Sequence, residues 1–570
     1  MIRIKNGIAL AIAEKIKALN ADAAMDAAEI TAMLEYPPDS KMGDLALPCF
    51  KMSKTLRMAP VKIAAAIAEG FSAPCVERAE AVNGYFNIFL DGQKMGEKVV
   101  SEILDKKDSY GAPDLGNGKT VVLDYSSPNV AKPFHIGHLG TTVIGHSIKK
   151  LHEFAGFKCV GINYLGDWGT QFGKLITAYR KWGSEEQIKV GGVDALVELY
   201  VRINNAIAED ASLADEARAE FHKLEEGDEE NLKLWKWFID ISLEEYQKTY
   251  AQLDITFDSY KGESFYTDKM PAQVQKLRDM GLLKIDDGAS IVDLEEYGMP
   301  PCLILKRDGS TLYPTRDIAA AVYRKQTYDF GKAIYVTSAG QSLHFAQWFK
   351  VVELMGYDWY DKLVHVPYGT VSINGEKLAT RTGNVILLRD LFATAIEKVA
   401  GIMEEKNPNL EGKEKIAEQI GVGAVVFYYL SNNRIRDINF VMEDALSFEG
   451  NTGPYVQYTY ARTCSVLSKS DSFDASAPLT VTAPEETELV KVLSRFEENV
   501  IDAIDTYEPS VIARYILDVA GAYNRFYHNC SILGAESEQI RNTRLALTQA
   551  AKTVLGNAFG LICLAKTEKV

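Results

Sequence analysis

The hydrophobic positions of this chain change period several times, and the changes divide it. Residues 1 to about 110 mix helical periodicity with turn-rich stretches such as LEYPPDSKMGDLALP and VNGYFNIFLDG. The opening MIRIKNGIALAIAEKIKALN carries a short apolar face interrupted by charges, with no small-residue cleavage site after it. It predicts a surface helix rather than a signal peptide. The Gly- and Pro-rich GAPDLGNGKT (111–120) predicts a linker. VVLDYSSPN then opens with a short β-prone run, as expected of a strand buried on both faces. A helical pattern over about 138–155 and a second strand-like run, KCVGINYLGD, complete a β-α-β unit. That unit begins a doubly wound, Rossmann-like α/β domain. Residues 181 to about 290 are polar, charged and largely helical, as an insertion would be. Strand patterns return at KAIYVTSAG (332–340) and KLVHVPYGTVSI (362–373), and from about 385 onward the pattern is helical. Ile512, Ile516, Val519, Tyr523 and Phe526 form a stripe on one helix face. There is no internal repeat and no low-complexity tract.

Composition narrows the class. A chain of 570 residues exceeds one compact core and implies about three or four domains. Hydrophobic content of 47% with a mean hydropathy of -0.11 describes a soluble globular protein, and no apolar run approaches the roughly 18–20 residues of a membrane span. Cys49, Cys75, Cys159, Cys302, Cys464, Cys530 and Cys563 are scattered without a C-x-x-C pair. That pattern argues against a zinc cage and a disulfide framework, and fits a reducing cytoplasm. A net charge of -16 disfavours a polyanion partner at face value, yet a local basic surface can still bind phosphates.

The chemistry concentrates in DYSSPNVAKPFHIGHLG. His135 and His138 lie three apart around Gly137, where a strand ends and a helix begins, with Asn129 and Lys132 just upstream. A helix N-terminus offers free N–H groups to phosphate, two imidazoles at this spacing can both donate to a phosphate oxygen, and the glycine lets a flat base lie against the backbone. H-x-G-H alone is short, and an ordinary polar pair at a helix start is the bland alternative. Elsewhere, Tyr313 and Asp317 share a helical face, and Asp124 ends the first strand, where a carboxylate is costly unless paired. For Asp317 alone capping explains the acid about as well as ligand recognition does, and for Asp124 the bland role is a helix or loop cap.

SSPNVAKPFHIGH, followed by NYLGDWGTQFGKL (163–175), resembles the class I arginyl-tRNA synthetases. LYPTRDIAA (312–320) and GQSLHFAQWF (340–349) resemble the second half of that family's catalytic fold, and FEGNTGPYVQYTYAR (448–462) the entry to its helical anticodon-binding domain. PPDSKMGDLALP (37–48) and GYFN (84–87) resemble its N-terminal domain. The resemblance implies an α+β N-terminal tRNA-binding domain over 1–110, a HIGH-type catalytic domain over 118–440 and an all-α anticodon-binding domain over 441–570. It implies that arginine is activated with ATP to arginyl-adenylate and passed to the 3' end of its tRNA, with Mg²⁺ accompanying ATP and bound tRNA needed for activation. Catalysis falls to Lys132, His135, His138 and Lys377, and ATP binding to His135, Gly137, His138, His344, Lys377 and Arg381. Arginine binding falls to Asp124, Ser127, Asn129, Tyr313, Asp317 and Gln341; no zinc and no membrane are implied, and a cytoplasmic monomer is expected. Two acids and a phenol suit a planar guanidinium fork better than a compact ammonium. Tyr455, Tyr458, Tyr460, Arg462, Arg525 and Tyr527 supply groups that can stack on unpaired anticodon bases, though aromatic stripes at helical spacing are more often core.

The literal string KMSK at 51–54 precedes HIGH, whereas the family's phosphate-closing loop must follow the last strand of the second half. Lys51 and Lys54 are therefore expected on the solvated face of an amphipathic helix, LPCFKMSKTLRMAP, ended by Pro60. The counterpart is GEKLATRTGN (375–384), where Lys377 keeps the first lysine and Thr380 stands for the second. Lys132 is expected to replace the missing charge. The family's Arg-Ser-Thr after HIGH is here Gly140, Thr141 and Thr142, and the chain ends in LAKTEKV where relatives usually finish in a proline-containing stretch and a methionine. These departures leave a second reading, a binding paralogue that keeps the fold but has lost aminoacylation.

Overall fold

The structure, a computed structural model, describes residues 1–20, 25–377, 386–470, 473–474 and 477–570. Its centre is a parallel sheet of β1 (Thr120–Asp124), β2 (Lys158–Ile162), β3 (Lys332–Ser338) and β4 (Leu363–Tyr368), in the order β4-β3-β1-β2. Helix α1 (Leu139–Phe154) joins β1 to β2, α2 (Tyr313–Tyr328) precedes β3, and α3 (Ser342–Leu354) joins β3 to β4. Both faces of the sheet are covered, so its strands carry near-continuous apolar runs. Leu123, Ile334 and Val366 enter one core, which runs on into the N- and C-terminal units; Val122, Ala333 and Tyr335 enter a second, closed by Trp348 of α3. Because β1 is followed on one side by β2 and on the other by β3, the winding reverses between β1 and β3. In such sheets a crevice opens there, beyond the carboxyl ends of the strands.

The N-terminal unit is α+β. Helix Ile2–Leu19 buries Ile4, Ile8, Ile12 and Ile16, and an antiparallel sheet places Tyr85–Leu90 between Leu45–Pro48 and Val76–Val82. The expected amphipathic helix around KMSK is not formed. A strand ends at Pro48, a 3₁₀ turn covers Cys49–Met52, a single turn covers Ser53–Leu56, and Arg57 closes it in the left-handed region. Pro60 opens the next helix, Pro60–Ala68, at a first-turn position where its missing N–H costs nothing. Lys51 and Lys54 are solvent-exposed, as expected. The segment expected as a linker is packed: a Cβ on Gly111 would lie 2.1 Å from the ring of Phe496, and one on Gly116 2.0 Å from the backbone of Gly156.

Two further expectations are corrected. The helical insertion, Glu185–Glu209, Ser212–Glu225 and Glu229–Gln252, gives way to an antiparallel sheet of Leu283–Asp286, Ala289–Val292 and Cys302–Leu305. Its tight turn is Asp287-Gly288, both at positive φ, a strong short-range hairpin signal. The run 362–373 is two strands. β4 ends at Tyr368, and Val371–Ile373 pairs instead with Ile438–Phe440 and Glu376–Lys377. The chain breaks at Gly369 because it passes Arg436 so closely that a Cβ would lie 2.3 Å from that carbonyl oxygen. The helical C-terminal region buries the stripe Ile512, Ile516, Val519, Tyr523 and Phe526. The closing residues are docked too: Gln457 donates to the carbonyl of Ala565 and the hydroxyl of Thr567.

Candidate active site

Beyond the carboxyl ends of β1 and β3 lies a cavity of about 630 Å³. Asp124, Ser127, Asn129, His138, Tyr313, Asp317, Gln341 and His344 all line it, so most of the expected site residues converge on one space. Gly137 and His135 sit at the entry to α1, His135 as the cap of the 3₁₀ turn Ile136–His138. The His135 Nδ1 accepts the N–H of Gly137 at 3.1 Å, and the His138 Nδ1 accepts the N–H of His135 at 3.2 Å. An imidazole whose Nδ1 accepts carries its proton on Nε2. Burial holds His138 down at about 3, with His135 and Lys132 adding to it, and burial and then Lys132 lower His135. Both rings, 4.0 Å apart, are therefore neutral Nε2–H donors at pH 7.

The carboxylates differ in what they already hold. Asp317 meets His344 Nε2 through Oδ2 at 2.6 Å, and Glu263 meets Arg316 through Oε2 at 2.6 Å. Among the described residues, no contact engages the other oxygen of either. Asp124 is fully engaged: Oδ2 pairs with Arg324 Nη1 at 2.8 Å, and Oδ1 accepts from the Ser127 hydroxyl at 2.9 Å. Burial pushes Glu263 up to about 7, Arg316 opposing and Asp317 and Asp167 reinforcing the rise. A cation brought to this wall stabilises the ionised form of Glu263.

Glu263 and Arg324 were not singled out from sequence. Arg324 had a signal, since Tyr313, Asp317, Ala320 and Arg324 make one face of α2 and all line the cavity. Glu263 had none, as it arrives from a 3₁₀ segment, Glu263–Lys269, that follows the three long helices within the expected insertion. Lys132 does not line the cavity, although its charge reaches both histidines. The side chain of Lys377, and Thr380 and Arg381 altogether, lie outside the described residues.

Local packing accounts for the residues after HIGH. A Cβ on Gly140 would lie 2.3 Å from the hydroxyl of Tyr429 and 3.0 Å from the ring of Tyr368, so a longer side chain here requires those two phenol ends to shift. Thr141 donates to the carbonyl of Val336 and accepts from the N–H of Ser126, while Thr142 donates to the carbonyl of His138. The two threonines thus tie α1 to β3 and to the loop after β1. In the helical region, Arg462 lies over the rings of Tyr458 (5.0 Å) and Tyr527 (4.9 Å), and both rings are exposed, with Arg525 exposed nearby on the helix that carries Tyr527. Tyr460 is core, packed on Phe559.

A parallel sheet with a paired-histidine helix start at its switch point is the catalytic fold of a class I aminoacyl-tRNA synthetase, and the family models agree. Residues 99–442 match the tRNA synthetases class I (R) catalytic domain, 456–570 the DALR anticodon binding domain and 6–90 the arginyl tRNA synthetase N terminal domain. The chain is 48% identical over 545 residues to the arginine–tRNA ligase of Alkaliphilus metalliredigens, covering 95% of this chain and 96% of that one. It is 47% identical to the arginine–tRNA ligase of Clostridioides difficile over 99% of both. The solved arginyl-tRNA synthetase of Thermus thermophilus superposes with a TM-score of 0.82 at 25% identity, covering 98% of this chain and 99% of that one. The chain belongs to the arginyl-tRNA synthetases. It activates L-arginine with ATP to arginyl-adenylate and transfers it to the arginine tRNA, releasing AMP and diphosphate.

Proposed function

We propose a division of labour within this reaction, carried by one observation: the neutral Nε2–H donor His138 and the half-free carboxylates Asp317 and Glu263 line one cavity, with the His135 ring 4.0 Å from that of His138. His135 and His138 donate from Nε2 to the phosphates of ATP, which enters as its magnesium complex, a substrate held by phosphates and water rather than by a protein cage. Because neither ring is charged, their contribution is oriented hydrogen bonding, and preorganised donors of this kind stabilise the charge that builds during phosphoryl displacement. Lys132 supplies the neighbouring positive charge from the loop before α1, and Lys377 and Arg381 supply charge from the loop after β4.

The guanidinium is read by Asp317 and Glu263, each through its unengaged oxygen, with Tyr313 at the mouth. His344 holds Asp317 by its other oxygen, which orients the carboxylate for a fork of N–H donors. Asn129 and Gln341, both exposed to the cavity, take the α-amino and carboxylate end with Ser127. No side-chain nucleophile is required, since the arginine carboxylate attacks the α-phosphate directly once positioned. Tyr458, Arg462, Arg525 and Tyr527 present the stacking surface for anticodon bases, and the N-terminal unit approaches the outer corner of the tRNA. The protein works as a cytoplasmic monomer. The test is arginine-dependent ATP–pyrophosphate exchange with and without tRNA. Exchange that requires tRNA is expected; folded protein inactive in both conditions would instead favour a paralogue that binds without aminoacylating.

A further inference from the structure

Arg324 is an unusual wall for a cavity that must hold a guanidinium. It is 1% exposed, and its Nε and Nη2 have no hydrogen-bond partner among the described residues. The rings of Tyr164 (5.0 Å), Tyr335 (5.7 Å) and Tyr266 (5.9 Å) surround its cation, and the hydroxyls of Tyr164 and Tyr335 are likewise buried without a partner. The group it does hold is the Asp124 carboxylate. Seating a substrate guanidinium on Asp124 as well would bring two like charges to one buried carboxylate whose second oxygen is already taken by Ser127.

From Asp124, which lines the cavity, the hydrogen bonds lead into the loop after β1. Ser127 donates to Asp124, and its oxygen accepts the N–H of Tyr164 at 3.1 Å. Ser126 and Ser127 stand at φ 71 and 43, a left-handed pair of non-glycine residues that persists only where surroundings over-determine it. The next residues are Asn129, whose side chain packs so closely on Gly166 that a Cβ there would lie 2.2 Å from its Oδ1, and the approach to His135. The other end of the contact chain is α2, which carries Tyr313 and Asp317 on the same face as Arg324.

We propose that Asp124 and Arg324 are positioning residues, a neutral internal pair that locks the left-handed loop after β1 to the arginine-reading helix and leaves Asp124 no contact with the substrate guanidinium. This rests on the arginine-activating reading above. It predicts that the pair governs turnover and not recognition of the substrate's charge.

The experiment compares Asp124→Asn, Arg324→Gln, the double variant and Asp317→Asn in tRNA-supported pyrophosphate exchange. Charge recognition is read separately, as the ratio of the inhibition constant of citrulline, the neutral isostere of arginine, to the KM of arginine. The two single variants of the pair should lower kcat by about 10- to 100-fold, and the double variant should be no worse than the poorer single one, as for residues acting as a unit. The citrulline-to-arginine ratio should stay within about threefold of wild type in all three, while Asp317→Asn should collapse it by about 30-fold or more. The double variant, which has no buried charge, gives the reading if a single variant does not fold. A ratio that collapses with Asp124 as it does with Asp317, or kcat losses that multiply in the double variant, overturns the proposal. A wild type without arginine-dependent exchange would overturn the functional reading instead.

Discussion

Among the described residues two arginine–carboxylate pairs are buried, and their surroundings differ in kind. In the helical C-terminal region Arg544 Nε meets Glu486 Oε1 at 2.8 Å, and Glu486 Oε2 accepts from the N–H groups of Thr482 and Ala483. Arg544 Nη1 donates to the carbonyl of Ser531, and none of its nitrogens is buried without a partner among the described residues. That pair caps a helix start and ties it to the helix Glu538–Leu561. The pair at Asp124 and Arg324 leaves two guanidinium nitrogens and two neighbouring phenols without a well-formed hydrogen bond among the described residues, beside a cavity, although Tyr266 and Tyr335 still interact with the guanidinium. A satisfied buried pair belongs to folding, whereas unmet hydrogen-bonding capacity against open space marks a wall shaped for something other than its own stability.

The largest effect should come from breaking the satisfied pair. Arg544→Met takes the counter-charge from the buried Glu486 carboxylate, at a cost of about 3–5 kcal/mol in stability. Thermal melting should show that loss while arginine KM, measured below the transition, is unchanged. Lys132→Ala should do the reverse, lowering kcat for adenylate formation by about 100- to 1000-fold, or about 3–4 kcal/mol, with little change in melting. Single-turnover measurement with tRNA present separates the two outcomes. Asp317→Asn removes one charge from the guanidinium wall and keeps its shape, which should cost about 2–4 kcal/mol, roughly 30- to 1000-fold in kcat/KM for arginine. Unchanged kinetics would take Asp317 out of the site.

A pH dependence sharpens the contrast further. Glu263 sits at about 7 because burial disfavours its charged form. It is ionised above that value and draws the guanidinium; as pH falls through it, the protonated fraction grows and the attraction is lost. Arginine KM should therefore rise as pH drops from 8 to 6, by at most about tenfold per unit. His138, held at about 3, does not titrate in this window and adds nothing to the profile. Glu263→Gln should flatten the curve; an identical curve in that variant would assign the titration elsewhere.

Much of this site was legible from spacing. The buried strand before DYSSPN, the paired histidines at a helix start and the Tyr313/Asp317 face are one-dimensional patterns that survive folding, and the structure brings Asp124, His138, Tyr313 and Asp317 to one cavity. What the sequence hid was what each group already holds. Asp124 reads in sequence as a carboxylate in need of a partner, but its arginine comes from α2 on a different connection, and Glu263 reaches the wall from within the expected insertion. The strand end at Gly369 was hidden for the same reason, since only the approach of Arg436 makes it. The hairpin at Asp287-Gly288 was legible and was outweighed by the polar helical pattern before it. Pro60 was misread because the same ring that stops a helix is favoured in the first turn of one.

The smallest expected effect tests the most literal motif in the chain. Lys51 and Lys54 spell out the loop that closes on ATP, yet they sit in the N-terminal unit, on a 3₁₀ turn and a single helical turn, with both side chains in solvent. Neither makes a salt bridge among the described residues, and neither lines the cavity. An exposed charge distant from phosphates is screened within about 10 Å at ordinary salt, so it has no lever on the transition state. Lys54→Ala should change adenylate formation by less than about twofold, within the effect of an ordinary surface substitution. Measured beside Lys132→Ala in the same single-turnover assay, it sets position in the fold against letters in the sequence. A crippled Lys54 variant next to an intact Lys132 variant would return the catalytic charge to KMSK and remove it from the loop before α1.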